Sequence, residues 1–250
     1  MIKLGSLSFP EDTPRIAVSF GDHASVRVIQ DAEKLGLDIV ELRVDLCSRY
    51  DEKYILDEIK KFKNLPLIGT IRSKKEGGNW GRSDAERLSL FEAMLPTVDA
   101  VDIEISSKEI LAEVVKAAHA VKKIVIVSHH DFQKTPNIDE LSKIAGEARS
   151  VGADIVKIAT LVLKSEDIQT LAEFTIANKP KGVVSIGMGD KGVVTRILLL
   201  ALGSLITYAA LGQSTAPGQL EFADTVDLIR RLYPKYNEEK ILALKLLEAV

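Results

Sequence analysis

The feature that most constrains this chain is a recurrence. Eight short runs rich in Val and Ile return along 250 residues, at positions 16–20, 38–44, 67–71, 100–105, 124–128, 155–159, 182–186 and 206–209. Most are uninterrupted, the pattern of strands covered on both faces. Between them lie windows with apolar residues three and four apart, clearest at 25–36, 84–95, 108–123 and 138–152, several closed by glycine. Strand and helix alternate with no linker or low-complexity segment. Eight such units predict a single closed (β/α)8 TIM barrel over residues 1–250, with one further amphipathic helix at 237–250. A doubly wound open sheet is the alternative, but such sheets usually have fewer strands.

Composition narrows the function classes. Hydrophobic residues make up 46%, enough for a sizeable core. A net charge of −3 offers no basic surface for nucleic acid or an anionic membrane. The single cysteine, Cys47, excludes an intrachain disulfide and a cysteine-rich metal site. The N-terminal residues lack a signal-peptide apolar core, and the run "ILLLALG" is too short to span a bilayer. The expectation is a cytoplasmic protein that handles a small molecule.

One motif suggests a dinucleotide. Gly187, Gly189 and Gly192 are spaced G-x-G-x-x-G after an apolar run and before an apolar helix pattern. A dinucleotide site wants this loop near the start of a βαβ unit and an acid about 20 residues on, at the end of the next strand. Here the loop follows the seventh run of eight, and "LGQSTAPGQ" carries no acid. The NAD reading therefore fails on context. An anion at the helix start is the better reading, with Arg196 one turn in as a bidentate clamp. A plain turn that binds nothing is the third.

The informative residues are polar groups at the C-terminal ends of apolar runs, where a barrel carries its chemistry. Glu41 and Arg43 lie two apart, so both point to one side of their strand, as do Asp102 and Glu104. Arg72 ends the third run, and His129, His130 and Asp131 end the fifth. Each has a structural reading as an ion pair, a rim charge or a cap. Lys157, between Val156 and Ile158, is hardest to dismiss. Desolvation there is expected to depress its pKa and free the amine for imine formation. A Mg²⁺ or Mn²⁺ site from Glu41, Asp102, Glu104 and His130 is the other sharp reading. Arg43, Arg72, Lys157 and Arg196 oppose it, since they would repel a metal but suit a substrate carboxylate. Strand parity does not choose between His129 and His130, because both parities are apolar upstream.

Taken in order, "ELRVD" (Glu41 to Asp45), "IRSKKEGG" (Ile71 to Gly78), "SHHDF" (Ser128 to Phe132), "VKIA" (Val156 to Ala159), "MGDKGVVTR" (Met188 to Arg196) and "APGQ" (Ala216 to Gln219) resemble type I 3-dehydroquinate dehydratase. This is the Schiff-base enzyme of the shikimate pathway, and the resemblance covers essentially the whole chain. It implies a (β/α)8 barrel and conversion of 3-dehydroquinate to 3-dehydroshikimate without cofactor or metal. It also implies Lys157 as the imine-forming lysine, His130 as general acid/base, and Glu41 with Arg43 as a pair that orders the histidine and contacts substrate. Arg72 and Arg196 become substrate-binding arginines, with Arg196 on the carboxylate, and Ser19, Thr215 and Gln219 further contacts. Thr215 stands where the family often has Ser, and His129 where it often has Tyr. The family also suggests a homodimer. Another class I Schiff-base aldolase, or a non-catalytic metabolite-binding barrel, are the rival readings.

Overall fold

The computed structural model describes residues 2–62, 64–212 and 214–248. A hairpin of β1 (Lys3–Leu4) and β2 (Leu7–Ser8) comes first. Eight parallel strands follow: β3 (Arg15–Phe20), β4 (Ile39–Arg43), β5 (Leu67–Thr70), β6 (Ala100–Glu104), β7 (Ile124–Asp131), β8 (Ile155–Leu161), β9 (Val183–Met188) and β10 (Ile206–Ala209). They alternate with α1 (Val26–Leu35), α2 (Glu52–Ile59), α3 (Asp84–Met94), α4 (Leu111–Ala120), α5 (Ile138–Ser150), α6 (Ser165–Asn178), α7 (Thr195–Ala201) and α8 (Phe222–Leu232). Neighbours in sequence pair in space, and β10 pairs with β3. The seam between β9 and β10 is bridged by the Leu205 N–H donating to the Val183 carbonyl at 2.9 Å. The result is a (β/α)8 barrel.

Local sequence explains the helix starts. Ser83 and Asn137 cap α3 and α5 with reciprocal hydrogen bonds to Glu86 and Glu140, each filling an otherwise orphan donor. Gly36 ends α1 with φ 136°, a conformation that costs a side-chain-bearing residue. The last helix, α9 (Pro234–Glu248), begins earlier than the 237–250 window. Its Tyr236 and Lys240 side chains reach back to Asp38, just before β4.

Two elements differ from the sequence expectation. The hairpin β1–β2 was not anticipated; its Leu4, with Phe9, joins the cluster inside the barrel and closes its floor. Strand β7 runs to Asp131 rather than stopping at 128. His130 still pairs with Ala159 and Asp131 with Thr160, so polar residues continue the ladder where the apolar run ends.

The interior shows why the chemistry sits at one end. Along each strand, side chains of one parity face the lumen. At the floor these are Ala17, Ile39, Ile68, Ala100, Ile126, Ile155, Val184 and Ile206. Two residues further on, the same parity gives Ser19, Glu41, Thr70, Asp102, Ser128, Lys157 and Tyr208, with Ile186 the one aliphatic member. The opposite parity, with Val18, Leu42, Val101, Val127 and Ile158, packs the helices. The lumen is therefore greasy below and ionic above.

Candidate active site

A cleft opens at the C-terminal end of the barrel. Ser19, Glu41, Arg43, Arg72, His130, Lys157, Arg196, Thr215 and Gln219 all line it. The fold thus gathers residues from the ends of β3, β4, β5, β7 and β8, from α7 and from the loop after β10. Asp102 and Glu104 are not in this lining but bind Arg72, which is. Among the described residues no group of three or more His, Cys, Asp or Glu is arranged to hold a metal ion. Glu41, Asp102 and Glu104 answer protein cations instead.

Lys157 projects from the middle of β8 and is 5% exposed. Its Nζ donates to Asp102 Oδ2 at 2.9 Å and Glu41 Oε1 at 3.4 Å, and lies 4.1 Å from the centre of the Tyr208 ring. This corrects the expected ionisation. Burial does work to lower its pKa, but the Asp102 and Glu41 carboxylates outweigh burial and raise it. The resting lysine is an ammonium. Both carboxylates are held below the usual range: burial opposes this, and the Arg72 and Lys157 charges overcome it for Asp102, as does chiefly Lys157 for Glu41.

The adjacent histidines are separated by parity. Ile126 faces the lumen, so Ser128 and His130 do too, while His129 shares the parity of Val125 and Val127 on the helix side. His130 has its pKa driven well below 6.5, first by burial and then by the Arg72 and Lys157 charges, so it is neutral. Its Nδ1 and its backbone N each lie 2.9 Å from Glu76 Oε2. Glu76 therefore orders the imidazole, in place of the expected Glu41. Glu41 is occupied otherwise: it accepts from the Ser19 and Thr70 hydroxyls and from Lys157. Burial raises the Glu76 pKa to about 7. Glu76 lies in "KKEGG" after β5, where no periodicity marks a side chain as inward-facing; only its place beside two glycines set it apart.

The arginines divide into matched and unmatched. Arg43 forks onto Asp45 at 2.9 and 2.8 Å. Arg72 reaches Asp102 at 2.7 Å and Glu104 at 3.0 Å. Arg196 is 3% exposed and, among the described residues, donates to two carbonyls, Tyr208 at 3.3 Å and Pro217 at 3.0 Å. Among the described residues its Nε has no partner and no carboxylate forms a salt bridge with it. Burial lowers its pKa to about 10. A buried cation with no described anion beside it, on a cavity wall, can take a ligand's negative charge.

The glycine loop turns out to be a packing device. Gly187 donates its N–H to Thr195 Oγ1 at 2.8 Å, Gly189 donates to the Pro217 carbonyl, and Gly192 to the Gly189 carbonyl. A Cβ on Gly187 would lie 2.6 Å from the Thr195 hydroxyl. These amides are spent internally, so the expected anion cradle is absent from them. The loop after β10 docks here. Gln219 Oε1 gathers the Thr215 N–H at 2.7 Å and the Ala216 N–H at 3.2 Å, shaping "TAPGQ" over the cavity. Gln213 lies outside the described residues. Phe132, Ile186 and Met188 supply apolar wall, and sequence reasoning had passed over them, as it had Tyr208.

The comparisons with known proteins point to one family. The family model described as type I 3-dehydroquinase matches residues 16–235. The chain is 36% identical over 222 residues to a 3-dehydroquinate dehydratase of Thermodesulfovibrio yellowstonii, covering 88% of this chain and 96% of that one. A second, from Methanosarcina barkeri, is 36% identical over 243 residues, covering 93% and 100%. Among solved structures it is similar to the type I 3-dehydroquinate dehydratase of Clostridium difficile carrying covalently modified comenic acid. That likeness has TM-score 0.84 and 28% identity, over 94% and 98% of the two chains. The Aquifex aeolicus 3-dehydroquinate dehydratase gives TM-score 0.78 and 33% identity, over 88% and 99%.

Proposed function

The chain belongs to the type I 3-dehydroquinase family, and from that premise we propose that it dehydrates 3-dehydroquinate to 3-dehydroshikimate through an imine on Lys157, with His130 as the acid/base. The observation that carries the reading is a buried lysine held between two carboxylates, in one cavity with a neutral histidine and an unmatched arginine.

The protonation states order the steps. Lys157 must give up a proton before it attacks the ketone. Glu41 and Asp102 are poor acceptors, being held below the usual carboxylate range, so neutral His130 takes it. Attack gives a carbinolamine, and His130 returns the proton to its hydroxyl, which leaves as water. An ammonium and a ketone thus become an iminium and water with no net proton exchange. The iminium is a cation where the ammonium was, so Asp102 and Glu41 stabilise it equally. It acidifies the adjacent C–H; His130 removes that proton, giving an enamine. His130 then protonates the β-hydroxyl as it departs. Water hydrolyses the conjugated iminium, releasing product and restoring the ammonium. Ionised Glu76 keeps the His130 Nδ1 protonated, leaving the Nε2 lone pair for this work.

Arg196 receives the substrate carboxylate, while Arg43 and Arg72, already forked onto Asp45, Asp102 and Glu104, hold the electrostatic frame. Thr215, Gln219 and Ser19 face the substrate hydroxyls. A homodimer and a cytoplasmic location belong to the same proposal. No described helix is long and apolar enough to cross a membrane. Purified protein given 3-dehydroquinate should produce the ultraviolet absorbance of a conjugated enone carboxylate. Sugar-phosphate cleavage without that absorbance would favour the aldolase reading instead.

A further inference from the structure

Behind the histidine stands a residue that the reaction as written does not use. Ser106 lies in the turn between β6 and α4, and its hydroxyl donates to Glu76 Oε1. The other oxygen of that carboxylate, Oε2, takes both the ring and the backbone nitrogen of His130 at 2.9 Å. Ser106, Glu76 and His130 thus form a chain of hydrogen bonds running from the surface to the cavity wall. Resting on the function proposed above, we propose that Ser106 is a positioning residue: its hydroxyl holds Glu76 as the anion that keeps the His130 Nε2 lone pair available to the substrate.

The surroundings of Glu76 explain why such help is needed. The carboxylate is 5% exposed, and Glu104 on β6 is a like charge facing it. Both work to neutralise it. Against them stand Arg72 from the end of β5, the His130 N–H on β7, and the Ser106 hydroxyl. Arg72 is already shared between Asp102 and Glu104, so its charge is divided. The balance leaves Glu76 at about 7, where the loss of one donor changes its state at working pH. An ionised Glu76 accepts the Nδ1 proton's hydrogen bond and strengthens Nε2 as a base. A neutral Glu76 does neither, while burial and the charges of Arg72 and Lys157 continue to weaken the imidazole.

The test compares the parent with Ser106→Ala and Ser106→Thr. kcat/KM for 3-dehydroquinate is followed against pH, and the His130 ring nitrogens are followed by ¹⁵N NMR titration without substrate. Ser106→Ala should move the acidic limb upward by about one pH unit, the effect of one charge-assisted hydrogen bond at a site water partly reaches. KM and the high-pH plateau should stay within about twofold of the parent, since no substrate contact is lost. The step in the ring-nitrogen shifts that reports Glu76 ionisation should move with the limb, and Ser106→Thr should restore both. An unmoved limb, or an activity loss equal at every pH, would overturn the proposal. If the parent does not dehydrate 3-dehydroquinate, the functional reading fails by itself. The NMR step then still decides the role of Ser106: a shift upholds its hold on Glu76, and no shift refutes it.

Discussion

Replacing Arg196 by Met should cripple binding while leaving the fold intact or firmer. At pH 7 the guanidinium is charged in both folded and unfolded chains, because 7 lies below both its ordinary 12.5 and its folded value of about 10. The burial penalty is then in full force, and a drop of that size corresponds to roughly 3 kcal/mol. The two hydrogen bonds to the Tyr208 and Pro217 carbonyls return about 1 kcal/mol each. Methionine, of similar length and apolar, removes the penalty and the bonds together, for a net gain of about 1 kcal/mol, or a Tm rise of about 2–4 °C. Binding moves the other way. A substrate carboxylate on this guanidinium makes up to two charge-assisted hydrogen bonds of about 1.5–3 kcal/mol each. Part of its hydration is surrendered in either protein, so a loss of about 3–4 kcal/mol is expected, a KM rise of roughly 10²–10³. The kcat should fall less than about tenfold, because the contact is made equally in the ground and transition states. Steady-state kinetics and a thermal melt on the same sample check both arms. A KM within threefold of the parent would refute the assignment of Arg196 as the carboxylate receptor.

His130→Ala should lower kcat by at least about two orders of magnitude, while His129→Ala, altered on the helix side, should change it far less; steady-state rates of the two variants distinguish them, and the reverse result would transfer the role. Asp102→Asn should leave Arg72 and Lys157 short of a buried partner, destabilising the fold by about 3–5 kcal/mol in a denaturant melt. The same change should lower the pH midpoint for modification of Lys157 by an amine-reactive reagent by about two units, because burial then acts with less opposition. An unchanged midpoint would mean that Asp102 does not hold the ammonium.

The eight strands were legible because parallel strands covered on both faces read as unbroken apolar runs. The hairpin β1–β2 was not, since two-residue strands carry no periodicity. The same double covering hid the choice between His129 and His130: Ile126 and Val127 are equally apolar, and only the closed barrel shows that Ile126 faces the lumen. Lys157 was conspicuous as a charge in a dry strand. Its ionisation was misjudged because the sign is set by Asp102 and Glu41, which are 55 and 116 residues away in sequence and meet it only across the barrel. The Glu76–His130 pairing likewise joins residues 54 apart through a loop that no pattern orients. The glycine spacing has the spelling of a dinucleotide-binding loop, but Thr195 and the Pro217 and Gly189 carbonyls consume its amides. Local sequence thus located the charged positions; Arg43 finds Asp45 two residues on, while the partners of Lys157, Arg72 and His130 come from elsewhere in the chain.

The proposed reaction turns the buried ammonium of Lys157 into an iminium with the substrate. Protein incubated with 3-dehydroquinate and sodium borohydride, then digested and sequenced by mass spectrometry, tests it directly. Inactivation should be irreversible and require both reagents, with the reduced adduct on the peptide "DIVKIAT" at Lys157. His130→Ala should still yield that adduct although its turnover fails. An adduct on another lysine, or no adduct while dehydration proceeds at the parent rate, would contradict the account.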